Sequence, residues 1–224
     1  MLKNEAKKLG QILLDYKINC SPVIMMGSNK KLNGPKGQSF IYEYLIQPLQ
    51  NEGVKFFHTD MDITPGDDVF LDVSGDFFED EVMESLISLN ANTVICANIL
   101  EHVRDPELFI KRVFEIIPSG GMAIFSVPSS FPYHLAPIDT YFRPTPNELS
   151  ALCKNNEVLF SEEILCGSFA THIYEKPQII IRYLLQIALF FINPGRALGA
   201  LHRFLWLFKD FKVSVVLVKK ISYS

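Results

Sequence analysis

The sequence predicts an α/β protein built on a mostly parallel sheet that is covered by helices on both faces. Apolar runs of strand length alternate along the chain with segments that carry apolar residues at helical spacing. Strands that are joined through helices form right-handed crossovers, and such crossovers favour a parallel sheet. The 224 residues are enough to bury one large core. We therefore predict a single domain that spans residues 1–224.

Seven segments are predicted as strands because each is apolar or alternates between apolar and polar residues. The sheet is expected to be mostly parallel and covered on both faces, and the apolar run of residues 22–26 suits a buried parallel strand. The segments are 22–26, 55–62, 69–73, 93–100, 122–127, 159–165 and 213–219. Ligands of such sheets bind at the carboxyl ends of the strands, so the loops that follow these segments are the candidate sites.

Helices are predicted where helical spacing coincides with residues that begin a helix. An amphipathic helix is expected over 2–18, and a second helix over 39–50 with Ser39 as its cap. Asp105 caps the next helix, and a proline follows it at the first helical position. Thr145 and Glu148 form a capping box, which predicts that another helix begins there.

Charge is distributed unevenly along the chain. The net charge of −4 does not suit a generic nucleic-acid binder, so no nucleic-acid partner is expected. Residues 1–177 hold 14 Lys and Arg against 24 Asp and Glu, a balance of −10. Residues 178–224 hold seven basic residues against one acidic residue, a balance of +6, and are the most hydrophobic part of the chain. We therefore expect residues 1–177, the body, and residues 178–224, the tail, to contact different kinds of partner or solvent.

The cysteines and histidines exclude two classes of protein. The four cysteines stand far apart, which argues against a disulfide scaffold or a zinc ribbon and favours a reducing compartment. The five histidines lack the spacing of metal ligands, so no metal site is predicted. The first 17 residues are charged and lack the apolar stretch of a signal peptide. A cytoplasmic location is therefore expected.

One pair of motifs resembles a known family. Residues 97–106 read Ala-Asn-Ile-Leu-Glu-His-Val-Arg-Asp-Pro, and residues 118–121 read Pro-Ser-Gly-Gly. At this spacing the two motifs resemble a segment of class I S-adenosylmethionine-dependent methyltransferases of the type 11 group, in which a strand, a helix and a glycine turn follow one another. The resemblance extends from about residue 22 to residue 152, and the last two predicted strands fit the closing hairpin of that family. It implies a Rossmann-like sheet of seven strands and S-adenosylmethionine as the cofactor.

The resemblance also assigns a set of residues to the cofactor. Gly27 would let the backbone approach the methionine part, because glycine has no Cβ. Asp60, or its rival Asp62, would accept hydrogen bonds from both ribose hydroxyls. Asp76 would accept a hydrogen bond from the adenine amino group. The complete set is Gly27, Ser28, Asp60, Asp62, Asp76, Phe77 and Asn98.

Three residues are candidates for the catalytic step. The long loop after the fifth strand resembles the acceptor-facing loop of the family, which makes His134 and Asp139 candidates for orienting and deprotonating an acceptor. His102 is the third candidate. The alternatives are that Asp139 forms a structural ion pair with Arg143, and that His102 forms a structural pair with Glu101.

The loop after the first strand departs from the family pattern. Residues 25–31 contain one glycine, no acidic residue and two lysines, whereas the family has a glycine-rich loop preceded by an acid. A dehydrogenase is disfavoured because no G-x-G-x-x-G motif follows the strand. The resemblance as a whole implies methyl transfer to an oxygen of a small molecule or saccharide. The alternative is a non-catalytic relative that binds a nucleotide-like ligand or a partner.

Residues 178–208 are predicted to form a hydrophobic, basic and helical insertion before the last strand. The apolar stretches are too short and too interrupted to span a membrane. Two interpretations stay open at this point. In one, a helical hairpin lies on a membrane with basic residues toward anionic headgroups, which would suit a lipid-linked glycan acceptor. In the other, the insertion packs on the body or on a second copy in a homodimer.

Overall fold

The computed structural model describes residues 1–16, 20–28, 38–60, 69–70, 79–133, 139–175, 177–188, 192 and 194–221. Its strands are β1 (Val23–Met26), β2 (Phe56–Asp60), β3 (Val69–Phe70), β4 (Thr93–Ala97), β5 (Met122–Ser130), β6 (Glu157–Ser168) and β7 (Asp210–Lys219). They form one sheet in the order β3-β2-β1-β4-β5-β7-β6. The strands from β3 to β5 in this order pair in parallel, whereas β7 is antiparallel to both β5 and β6. The predicted α/β class with a mostly parallel sheet is confirmed.

Helices cover both faces of this sheet. They are α1 (Lys3–Asp15), α2 (Ser39–Ile41), α3 (Gln47–Asn51), α4 (Asp80–Ser88), α5 (Pro106–Ile116), α6 (Pro146–Leu152), α7 (Phe169–Glu175), α8 (Gln178–Ala188) and α9 (Pro194–Phe204). A π-helical turn, Tyr42–Ile46, joins α2 to α3, and a 3₁₀ turn, Leu100–His102, follows β4. Among these helices none is long and apolar enough to cross a membrane.

Two apolar layers hold the helices to the sheet. Successive residues of a strand point to opposite faces, so Ile24 enters one layer and its neighbour Met25 enters the other. The first layer includes Val113 of α5, and the second includes Leu9 of α1 and Leu45 of the π-helical turn. The sheet is therefore buried on both faces, as its apolar parallel strands require.

The two strongest helix-start signals of the sequence form real caps. The Asp105 carboxylate accepts a hydrogen bond of 2.9 Å from the backbone N–H of Leu108. The Thr145 hydroxyl accepts from the backbone N–H of Glu148, whose carboxylate in turn accepts from the Thr145 N–H at 2.8 Å. Each cap satisfies N–H groups that the first helical turn leaves without a partner.

The prediction for residues 39–50 was wrong in two details. Gln38, not Ser39, occupies the cap position, and Ser39 is the first helical residue. The segment is also not a single α-helix, because the π-helical turn interrupts it. That turn lies directly against α1 at Gly10, where an added Cβ would come within 1.9 Å of the Tyr44 carbonyl oxygen. Backbone contact of this kind requires glycine.

Several strands differ in length from their predictions. The strand predicted over 93–100 ends at Ala97, because Asn98 adopts a φ of 55° that a strand cannot continue. Three strands, β5, β6 and β7, are longer than predicted. Strand β7 pairs with β5 along one edge and with β6 along the other, and both pairings contain register shifts that the local sequence pattern does not reveal.

Substitution of Gly10 by alanine tests the contact between α1 and the π-helical turn. Helix propensity alone would favour alanine by about 1 kcal/mol. The clash with the Tyr44 carbonyl should outweigh this gain and lower the free energy of unfolding by roughly 1–3 kcal/mol, measured by chemical denaturation. Lys7→Ala, on the exposed side of the same helix, is the control and should have little effect. A stabilised Gly10→Ala protein would contradict the close packing.

Candidate functional site

The carboxyl ends of three neighbouring strands bring several predicted residues to one edge of the sheet. Strand β1 lies between β2 and β4, so the strand order reverses there, and ligands of open α/β sheets bind at such a point. Gly27 directly follows β1, Asp60 ends β2, and Asn98 directly follows β4. Three other predicted cofactor residues, Asp62, Asp76 and Phe77, lie outside the described residues.

Gly27 and Ser28 form the turn that leaves β1. Gly27 has a φ of +60°, a conformation that favours glycine, and a Cβ there would come within 3.3 Å of the Ile99 side chain. Ser28 is buried, and its hydroxyl lies 2.8 Å from Nδ1 of His58. Its backbone N–H donates to the carbonyl of Thr59 at 2.8 Å. Ser28 thus ties the first turn to β2.

The side chain of Glu5 joins helix α1 to the carboxyl ends of β4 and β5. Its Oε1 accepts hydrogen bonds from Nδ2 of Asn98 at 2.9 Å and from the hydroxyl of Ser126 at 2.6 Å. Its Oε2 accepts from the backbone N–H of Leu2 at 2.8 Å, at the start of α1. The Glu5 side chain is fully buried. Helix α1 is therefore fixed over the strand ends.

A cavity of about 300 Å³ lies between the start of α1 and the strand ends. It is lined by Met1, Leu2, Asn98, Glu101, His102, Pro128, Phe131 and Val213. The lining combines apolar side chains with an amide, a carboxyl group and an imidazole. A small organic molecule with both apolar and polar parts would match this lining.

Glu101 is the most unusual group of the cavity. Its side chain is 1% exposed, and its Oε2 atom has no hydrogen-bond partner among the described residues. Burial raises the pKa of Glu101 from its usual 4.5 to about 8, although a hydrogen bond with its own backbone opposes the shift. The nearby Glu5 carboxylate raises this pKa further, and the charge of Arg143 lowers it. Such a group exchanges a proton near neutral pH.

The three predicted catalytic residues differ in where the structure places them. His102 lies in the cavity wall, with its Nε2 3.8 Å from Oε1 of Glu101. His134 lies outside the described residues. Asp139 is buried, and both of its oxygens are engaged: Oδ2 accepts from Arg143 at 2.5 Å and Oδ1 accepts from the Tyr141 N–H at 2.9 Å. This geometry favours the structural ion pair over a catalytic role for Asp139.

The ion pair holds the loop against the 3₁₀ turn that carries Glu101. Next to Asp139, the backbone N–H and the hydroxyl of Thr140 both donate to the carbonyl of Glu101, at 2.8 and 3.1 Å. The backbone of Glu101 is thus fixed from the far side of the loop. Asp139 and Arg143 act on the cavity through this contact.

Two residues of the site were missed as candidates. Glu101 stands in the Leu-Glu-His motif, but His102 was preferred because an imidazole titrates near neutral pH without any help from its surroundings. Glu5 left one signal in the sequence. It lies three residues after Leu2 and four before Leu9, which places a carboxyl group on the apolar face of the first helix.

Comparisons with known proteins support the architecture. No protein-family model matches the chain, and no curated protein sequence matches it. A solved structure of a proposed sarcosine dimethylglycine methyltransferase from Galdieria sulphuraria is 13% identical, with a TM-score of 0.60, over 98% of this chain and 85% of that chain. The chain has the class I methyltransferase fold.

Two further structures show the same fold. Phosphoethanolamine N-methyltransferase 2 from Haemonchus contortus, in complex with S-adenosylhomocysteine, is 10% identical with a TM-score of 0.54. The alignment covers 96% of this chain and 53% of that chain, so the chain spans about half the length of this relative. A coclaurine N-methyltransferase bound to S-adenosylhomocysteine is 15% identical with a TM-score of 0.51, over 95% of this chain and 70% of that chain.

The raised pKa of Glu101 predicts a pH dependence of stability. Between pH 4.5 and 8 the folded protein binds a proton that the unfolded chain has released, so stability should fall as pH rises through this window. The free energy of unfolding should fall by at most about 1.4 kcal/mol per pH unit.

Glu101→Gln should flatten this slope, because glutamine does not titrate. Denaturation of both proteins at several pH values measures the difference between them. The exposed Glu84→Gln is the matched control and should keep the slope of the unmodified protein. Parallel curves for the unmodified protein and Glu101→Gln would show that Glu101 titrates normally.

Proposed function

We propose that this protein transfers a methyl group from S-adenosylmethionine to a small molecule that binds in the cavity beneath α1. The observation that carries the proposal is the position of Glu101, whose unpartnered, buried carboxyl oxygen belongs to the cavity wall beside the carboxyl ends of β4 and β5. The fold supports the proposal, because its strand ends are where this architecture binds ligands.

The residues at the neighbouring strand ends suit the cofactor. Gly27 has a positive φ, the backbone conformation of a turn that approaches a ligand closely, and the family resemblance assigns it to the methionine part. Asp60, at the end of β2, is the candidate partner of the ribose hydroxyls, and Asn98 separates this region from the cavity. Asp62, Asp76 and Phe77 are assigned to the cofactor on the family resemblance alone. When bound, S-adenosylmethionine supplies a methyl group on a positively charged sulfur.

Glu101 would serve the reaction by accepting a proton from the acceptor. An acceptor hydroxyl in the cavity loses its proton to the Glu101 carboxylate as its oxygen forms the new bond to the methyl carbon and the bond from that carbon to sulfur breaks. His102, 3.8 Å from Glu101, helps to orient the carboxylate. Most of the rate enhancement would come from the cavity walls, which hold the acceptor in line.

A saccharide oxygen is the acceptor class that we favour. Pro128 and Phe131 offer an apolar surface for a sugar ring, while Asn98 and Glu101 offer polar groups for its hydroxyls. A saccharide that is linked to a lipid also falls within this class.

The alternative is a protein that binds a nucleotide-like ligand or a partner without catalysis. One observation favours it: Glu5 already satisfies the amide of Asn98 and the hydroxyl of Ser126 at the strand ends. The single glycine of residues 25–31 agrees with this alternative.

Calorimetric titration with S-adenosylmethionine and with S-adenosylhomocysteine tests the cofactor. Both should bind, and Asp60→Ala should weaken both by roughly tenfold or more, because two charge-assisted hydrogen bonds to the ribose are lost. Asp15→Ala, at the far end of α1, is the control. If neither compound binds at millimolar concentration, methyl transfer is ruled out, and unchanged affinity in Asp60→Ala would remove the ribose assignment alone.

Glu101→Gln tests the proton acceptor. With an acceptor found by a methylation assay on cell extracts, this variant should lose roughly 10²–10⁴ in kcat while its affinity for the cofactor stays the same. The rate of the unmodified protein should rise with pH up to about 8, because only the ionised carboxylate accepts a proton, and this rise should be missing in the variant. An unchanged rate and pH profile would exclude Glu101 as the base.

A further inference from the structure

The helical insertion exposes two apolar stripes. Ile181, Leu184 and Leu185 lie on one face of α8, and each is more than half exposed. Leu198 and Leu201 of α9, with Leu205 directly after it, form the second stripe and are also more than half exposed. The two helices pack against each other, so the stripes belong to one body. We call these six residues the apolar insertion surface.

The opposite side of the insertion is attached to the body through aromatic rings. Phe169 of α7 packs edge-on against Tyr183 of α8 at 5.2 Å and against Phe204 of α9 at 5.6 Å. Just after α9, the Trp206 ring lies 6.1 Å from that of Phe211 in β7. Backbone hydrogen bonds from Phe169 and Ala170 to residues 206 and 207 add to this attachment. The insertion therefore has its own buried side, and the apolar insertion surface is a second, outward one.

The charge of the insertion has one sign. Between residues 178 and 209 the chain contains Arg182, Arg196, Arg203 and Lys209 and no acidic residue. Lys209 is placed at the base, with its Nζ 4.0 Å above the Trp206 ring. A segment that exposes an apolar surface and contains cations but no acidic residue, on a chain whose first 177 residues are strongly acidic, indicates an occupant that is both apolar and anionic.

We propose that the insertion lies in the surface of an anionic lipid bilayer, with the apolar insertion surface among the acyl chains. A bilayer with anionic headgroups offers both properties at once, and interfacial helices combine an apolar face with basic residues in this way. A second copy is the weaker fit. In a symmetric dimer the same surface meets itself, which would bring together two segments that each contain cations and no acidic residue. The binding does not depend on methyl transfer.

Flotation of the full chain with vesicles tests the proposal. The protein should bind phosphatidylcholine vesicles that contain about one third phosphatidylglycerol. Binding should be at least tenfold weaker with phosphatidylcholine alone, and it should fall as salt is added. Failure to bind the anionic vesicles at low salt would overturn the proposal.

Two sets of variants separate the apolar contribution from the charge. Leu184→Glu with Leu201→Glu should reduce binding by more than tenfold, whereas Ile87→Glu, at an exposed apolar position on α4, should leave it unchanged. Arg196→Ala with Arg203→Ala should weaken binding by roughly 25-fold, since each cation near an anionic surface contributes about fivefold. Circular dichroism and thermal melting check that each variant is folded.

Sedimentation without lipid distinguishes the competing occupants. A monomer that binds anionic vesicles is the expected result. A dimer that the Leu184→Glu and Leu201→Glu variant disrupts, combined with undiminished vesicle binding by that variant, would overturn the proposal in favour of contact between copies.

Discussion

The hydrogen bonds of the Glu5 carboxyl group are the interaction on which the candidate site depends. They join the first turn of α1 to Asn98 and Ser126, which belong to the ends of two neighbouring strands. Because Glu5 is fully buried, the loss of these partners would leave a polar group unsatisfied, at a cost of about 1–3 kcal/mol. The start of α1 is therefore a fixed wall of the cavity.

The raised pKa of Glu101 has a related origin, since burial is its largest cause and the Glu5 carboxylate adds to it. Helix α1 keeps water away from the strand ends, so the Glu101 carboxyl group is desolvated, and it also places a second carboxyl group nearby. The charge of Arg143 lowers this pKa only in part, and its guanidinium is hydrogen-bonded to Asp139 rather than to Glu101. Burying a carboxyl oxygen without a partner lowers stability. Sites that violate the packing rules in this way are expected where function requires it.

Local signals predicted the fold well, and the site only in part. The caps at Asp105 and Thr145 depend on residues three positions away, so the sequence displays them directly. The end of β1 was also predicted locally, which located Gly27, whereas the strand predicted over 93–100 ends before Asn98. The contact of Glu5 with Asn98 joins residues 93 positions apart, and no local pattern encodes it. The raised pKa of Glu101 comes first from burial and then from the neighbouring Glu5, and both depend on tertiary packing, so it could not be predicted before the fold was known.

The cavity and the insertion share an aromatic connection. Phe131 lines the cavity and packs at 4.9 Å on Phe211, which in turn lies against Trp206 at the base of the insertion. If the insertion lies in a bilayer surface, as proposed, this connection holds the cavity close to the lipid. An acceptor with a lipid anchor would then reach Glu101 without leaving the membrane, whereas a freely soluble acceptor would gain nothing from the insertion. Membrane binding of the insertion therefore favours a lipid-linked saccharide over a soluble one.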